Sequence, residues 1–90
     1  MAMFYDNLSA EDVDTLDRLA RLLLELRDSR TELLARHAVE DEDALLAKIR
    51  AGEIDEHPAY EDYLGVRTVA TLREAIRADL RDYMLRIRLP

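Results

Sequence analysis

The chain has 90 residues and a mass of 10.4 kDa, with 20 acidic residues, 13 basic residues and no cysteine. This length permits one small domain, and the lack of cysteine excludes disulfides and thiolate metal sites. A formal net charge of −7 argues against a general nucleic-acid binder, because such proteins need a basic face. Ala, Glu, Lys, Leu and Arg supply 50 of the 90 residues, a composition typical of long helices and coiled coils.

The N-terminal segment carries no targeting signal that we can identify. Residues 1–11 have neither a basic cluster nor an apolar run of the length that a secretory signal needs. Apolar runs such as Met1–Tyr5 and Leu22–Leu24 are far too short to span a membrane. We therefore expect a cytoplasmic protein with no membrane partner.

The first predicted helix begins at Ser9, whose hydroxyl can cap the following backbone N–H groups. No glycine or proline follows until Gly52, so the helix can extend over about residues 10–37. Ser29 and Glu32 could form a second capping box inside this range, which would indicate a break. We favour one continuous helix.

Local sequence signals predict two further helices in the rest of the chain. Asp41 can cap a second helix over about residues 41–51, and Gly52 suits the left-handed position that follows a helix end. Pro58 then favours the first turn of a new helix. The third helix is predicted over about residues 58–88.

Apolar residues cover an arc of about 200° on the first helix and about 180° on the third, roughly twice what one neighbour requires. Each long helix therefore needs two neighbours, whereas the chain offers one long partner and one short helix. We predict a single all-α domain over residues 1–90. In it an antiparallel pair of long helices is joined by a short helix, and a second copy completes a dimeric four-helix bundle. A monomeric three-helix bundle is the alternative.

Heptad spacing defines a predicted oligomer seam on both long helices. Each heptad series carries one arginine at an a-type position, namely Arg30 or Arg73. A buried guanidinium must pair or reach solvent, so we interpret these two residues as determinants of register and not of catalysis. The predicted seam consists of Leu16, Leu19, Leu23, Leu26, Arg30, Leu33, Val69, Arg73, Ile76, Leu80 and Tyr83.

The excess negative charge lies in the middle of the chain. Residues 40–62 contain nine acidic and two basic residues, whereas the two flanking segments together are neutral. Helix capping and solubility explain part of this pattern. The sharper hypothesis is a docking surface for a basic protein partner. Its predicted residues are Glu40, Asp41, Glu42, Asp43, Glu53, Asp55, Glu56, Tyr60, Glu61 and Asp62.

We predict no metal and no cofactor. The Glu-x-x-His pair of di-iron bundles does not occur at either histidine. His57 has Glu53 and Glu61 four residues away on either side, but Gly52 and Pro58 interrupt the helix that would align them. A small-ligand or metal-binding bundle that uses these hinge acids is kept as an alternative.

Arg30 and His37 lie seven residues apart on one helix, and this Arg-x6-His spacing resembles the motif of the HEPN ribonucleases. The resemblance implies a helical dimer that cleaves RNA without a metal. It covers two residues, and Thr31 stands where the family usually has Asn, Asp or His. Arg50 and His57 repeat the spacing without a supporting helix. The favoured function remains a non-enzymatic, self-associating accessory, adaptor or regulatory subunit, with the HEPN-like ribonuclease as a remote alternative.

Overall fold

A computed structural model describes residues 8–87, and within this range the regular structure consists of three helices. They are α1 (Ala10–Ala35), α2 (Glu42–Arg50) and α3 (Glu56–Ile87). The two long helices pack along each other, and α2 packs on α3. The prediction of an all-helical fold with two long helices and a short connecting helix is confirmed, and the dimer stays a prediction. Arg88, which the predicted third helix included, lies outside the described residues.

The helix starts follow the local chemistry of the sequence. The Ser9 hydroxyl accepts a hydrogen bond from the Asp12 N–H at 3.0 Å, and the Asp41 carboxylate accepts one from the Ala44 N–H at 2.8 Å. α1 continues without a break past the alternative start at Ser29. His57 is extended (φ −111°, ψ 127°), as the residue before a proline prefers, so the regular part of α3 starts after it.

Two helix ends use left-handed backbone. Gly52 has φ +71° after α2, and its N–H donates to the Ile49 carbonyl at 3.1 Å. After α1 the left-handed residue is Ala38, with φ +54°. The next residue, Val39, donates its N–H to the Leu34 carbonyl at 3.3 Å and packs against the core. Burial of Val39 therefore holds Ala38 in a conformation that glycine adopts more readily.

Contacts at both ends of the helical pair establish that α1 and α3 are antiparallel. The Tyr83 hydroxyl donates to Asp12 Oδ1 at 2.6 Å, and His37 meets Asp62 at the other end. Between them, a Cβ added to Gly65 would lie 3.3 Å from Leu33 Cδ1, so the missing side chain lets the helices approach closely. The resulting particle measures 57 × 21 × 17 Å. Its radius of gyration of 18.0 Å exceeds the roughly 12 Å of a compact domain of this length.

The core is small and lies at one end. Leu34, Leu45, Ala59 and Val66 form a buried cluster where the three helices meet, and Leu16 is buried near the opposite end. We call the end of the molecule that contains this cluster, together with the connecting segments 36–41 and 51–55, the hub end. None of the described helices is both long enough and apolar enough to cross a membrane.

The predicted seam positions lie on the two long helices, which pack along each other within one chain. Leu16 is buried, and the remaining ten positions are half-buried. The heptad pattern therefore coincides with the less exposed side of both long helices, and the oligomer seam stays a prediction.

Candidate interaction surface

The outward side of α1 is a solvated, charged surface. Asp14 pairs with Arg18, and Asp17 pairs with Arg21 at 2.9 Å, each pair spanning one helical turn. All four side chains are more than half exposed. Such pairs stabilise a helix modestly and keep its surface in water. This side of the molecule therefore has the character of a free surface.

The outward side of α3 has a different character along its first half. We define the α3 outer face as Tyr60, Leu64, Arg67, Thr68, Thr71 and Leu72, which recur at helical spacing and are all exposed. Tyr60 is 40 %, Leu64 43 % and Leu72 47 % exposed. A shallow groove runs along the last five of these residues. Arg67 is the one charged group of the set, in a chain with a net charge of −7.

The aromatic end of this face is preorganised. The rings of Tyr60 and Tyr63 stack with their centroids 6.0 Å apart. The guanidinium of Arg67 lies 6.0 Å from the centroid of Tyr63, within cation–π range. Tyrosine and arginine held in fixed positions are the residue types that most often dominate binding energy at protein interfaces.

The predicted acidic surface lies at the hub end. Two of its exposed acids have partners within the chain: Asp41 caps α2, and Glu61 Oε1 lies 2.6 Å from His57 Nδ1. Glu42 is half-buried at the start of α2. The exposed members of the predicted set are Glu40, Asp41, Asp43, Glu53, Asp55, Glu56, Tyr60 and Glu61.

Asp62, the remaining member of the predicted acidic set, faces inward. It is 8 % exposed, its Oδ2 lies 2.8 Å from His37 Nε2, and its Oδ1 accepts from Arg36 Nη1 at 3.4 Å. Lys48 of α2 donates to the His37 carbonyl at 3.2 Å. This group of residues joins the end of α1 to both other helices.

A heptad signal could have located Asp62. Extended toward the N-terminus from Val69, the alternating steps of three and four residues reach Val66 and then Asp62. The same spacing continued past Leu33 on the first helix reaches His37, which contacts Asp62 in the structure. The inward position was missed because aspartate was grouped with its acidic neighbours and not with the seam.

The two seam arginines are half-buried. In the described part of the chain, Arg73 Nε is buried and has no hydrogen-bond partner. His37, the second residue of the Arg-x6-His spacing, has a side chain only 11 % exposed and in contact with Asp62. The structure thus places that histidine in a contact between helices.

The residues from 8 to 87 contain no group of three or more histidine, aspartate or glutamate side chains arranged to hold a metal ion. His57 contacts Glu61, and Glu53 does not join this pair.

The comparisons with known proteins bear on family and not on activity. The comparison with curated proteins and the comparison with solved structures returned no match. Residues 7–87, which include all three helices and both candidate surfaces, match the family described as Uncharacterized protein MJ0235 family. The chain therefore belongs to the MJ0235 family.

Proposed function

We propose that this protein is a non-catalytic interaction module that self-associates through its helices and presents its acidic hub end to a basic protein partner. Such a protein acts as an accessory, adaptor or regulatory subunit. The hydrogen-bonding and charged groups described above hold helices together or lie on open surfaces.

One observation carries the proposal: the described chain buries few apolar side chains and exposes many. Five apolar residues are buried, whereas seven large apolar side chains are between 37 % and 58 % exposed. Exposed apolar surface that is contiguous and rimmed by polar groups marks an interaction site more often than a free surface. The α3 outer face meets this description, because Leu64 and Leu72 lie on one groove.

The acidic hub end supports the second part of the proposal. Seven of its carboxylates form no ion pair with a basic side chain among the described residues, namely Glu40, Asp41, Glu42, Asp43, Glu53, Asp55 and Glu56. The side chains of Glu40 and Asp43 are exposed and do not cap a helix. Negative charge collected at one end of a rod would orient and accelerate encounter with a basic surface.

Self-association is tested by measuring the mass in solution. Light scattering or sedimentation at micromolar concentration should detect a species of twice the chain mass of 10.4 kDa. A single species at the chain mass throughout that concentration range would contradict this part of the proposal.

Reversing the charge of acids at the hub end tests whether this end binds a basic protein. Glu40→Lys combined with Asp43→Lys should leave folding intact and abolish retention of a basic protein that moderate salt releases from the wild type. The matched control is Glu25→Lys with Asp28→Lys, two exposed acids of α1 with the same change in net charge. Equal losses in both double variants would mean that net charge, and not the hub end, governs binding.

A further inference from the structure

We propose that the α3 outer face is the dimer interface, and that a second copy of the chain docks on it antiparallel, with the two-fold axis beside Thr71. The inference deepens the proposed self-association and rests on it. In this arrangement the heptad seam stays inside each chain, and α3 of one copy packs against α3 of the other.

The size pattern of the face favours the antiparallel direction. Tyr60, Leu64 and Arg67 provide large side chains in the N-terminal half, and the same helical stripe continues through Ala75 and Ala78. Antiparallel helices pair positions symmetrically about the axis, so Leu64 lies opposite Ala78 and Arg67 lies opposite Ala75. Large side chains then fill the space that small ones leave, which gives the close packing that interfaces require.

A parallel pair would fit less well. It would place each Leu64 beside Leu64 and each Ala78 beside Ala78, with crowding at one end and a gap at the other. Gaps in an apolar contact lose both dispersion and burial energy. A two-fold axis perpendicular to the helices avoids this mismatch, because it turns one half of the stripe onto the other.

The charge pattern favours the same direction. Arg67 lies in the N-terminal half of the stripe, and Glu74, which pairs with Arg77 of its own helix at 3.3 Å, lies in the C-terminal half. The C-terminal half of α3 also holds the exposed acids Asp79 and Asp82 and the exposed bases Arg81 and Arg86. Antiparallel docking brings Arg67 toward Glu74 of the second copy. Thr71, at the axis, is uncharged, so the centre carries no like-charge repulsion although each chain has a net charge of −7.

The exposed area is large enough for such an interface. The chain exposes 6745 Å², about 1,300 Å² more than the roughly 5,400 Å² expected for a compact monomer of this mass. An interface of standard size removes about 800 Å² from each partner. The outer side of α1 carries the ion pairs Asp14–Arg18 and Asp17–Arg21, whereas the α3 outer face carries one charged group, Arg67.

Cysteine cross-linking tests the interface and its direction, because the chain has no cysteine of its own. Thr71→Cys should form a disulfide-linked dimer on mild oxidation. Ser29→Cys, an exposed position on α1, is the matched control and should stay unlinked. Leu64→Cys alone should also stay unlinked, because the two copies of this position would be about 21 Å apart along the helices. Leu64→Cys mixed with Ala78→Cys should cross-link.

Thr71→Glu provides an independent measurement. Two carboxylates at the axis should raise the dimer dissociation constant about tenfold or more while the helical circular dichroism stays unchanged. Two results would overturn the interface and leave self-association standing, provided that the wild type is a dimer. One is efficient disulfide linkage between two Leu64→Cys chains, and the other is no disulfide linkage between two Thr71→Cys chains. A wild-type chain that is monomeric in solution would instead refute the proposed self-association itself.

Discussion

His37 and Asp62 form the buried contact that ties the end of α1 to the start of α3. Nε2 of the imidazole lies 2.8 Å from Oδ2 of the carboxylate, and the two side chains are 11 % and 10 % exposed. Because a carboxylate only accepts hydrogen bonds, this nitrogen carries the hydrogen. The chain also contains an exposed counterpart, His57 with Glu61, whose side chains are 77 % and 56 % exposed.

Removing either partner of the buried pair should destabilise the fold. We expect His37→Ala or Asp62→Ala to lower the free energy of unfolding by about 1–3 kcal/mol, because the remaining polar group stays buried without its partner. The double variant should reveal a coupling energy of about 0.5–3 kcal/mol in urea denaturation. His57→Ala is the matched control and should change stability by less than about 1 kcal/mol. Equal effects at both histidines would contradict the role of burial.

Tyr83 and Asp12 should give stability a dependence on pH at both extremes. The hydrogen bond from Tyr83 holds the pKa of Asp12 below its ordinary value of 3.8, and the same bond raises the pKa of Tyr83 above 10.0. The Asp12 contribution is present above pH 3.8 and is lost as the pH falls through the lowered value. The Tyr83 contribution is present below pH 10.0 and is lost as the pH rises through the raised value.

Comparison of Tyr83→Phe with the wild type isolates the pH dependence that comes from the hydrogen bond between Tyr83 and Asp12. The difference in melting temperature between wild type and variant should be constant from about pH 5 to pH 9 and should shrink outside that window. Thermal melts across the pH range at one fixed protein concentration provide the measurement. A difference that persists unchanged at pH 2 would mean that the hydroxyl contributes through packing alone.

Ala38→Gly should stabilise the protein. Ala38 is exposed and has φ +54°, a region that costs a residue with a Cβ about 1–2 kcal/mol. Glycine removes that cost at the expense of chain entropy, so we expect a gain of up to about 1 kcal/mol and a higher melting temperature. Ala47→Gly, at an exposed helical position of α2, should instead lose about 1 kcal/mol. A loss of stability in both variants would refute the strain at residue 38.

Leu23→Asp should disrupt folding, whereas Leu24→Asp should not. Leu23 is half-buried in the seam, where a carboxylate would lie between α1 and α3. Leu24 is 53 % exposed, and a surface substitution of this kind changes stability by about 0.5 kcal/mol or less. Ile76→Asp should behave as Leu23→Asp does. Circular dichroism and urea melts of the three variants measure the contrast, and equal stability of all three would refute the assignment of the seam.

The elements that could be predicted are those whose signal lies within a few residues. Ser9 and Asp41 cap helices because a short side-chain oxygen reaches a backbone N–H three residues on. Gly52 ends α2 because glycine adopts positive φ without a steric penalty. The left-handed Ala38 could not be predicted in this way, because a distant contact, the packing of Val39 on the core, holds it there.

The candidate surfaces were predicted only in part, because exposure depends on which helices meet. Charge alone placed Asp62 with its acidic neighbours, but the antiparallel register turns it toward His37. The wide apolar arcs on the long helices indicated more apolar surface than two helices bury, as the exposed Leu24 and Leu72 illustrate. Which part of each arc stays uncovered depends on where α2 docks, and α2 docks on α3.

The amino-acid sequence by itself determined the helices, their caps and the inward stripe of each long helix, since these follow from hydrogen bonding and periodicity within a few turns. Only the tertiary structure decided that α1 and α3 of one chain pack together, that His37 and Asp62 meet, and that Tyr60, Leu64 and Thr71 are exposed. The reason is geometric. Neighbours along a helix are fixed by 3.6 residues per turn, whereas neighbours across helices depend on register and docking, which many side chains determine together.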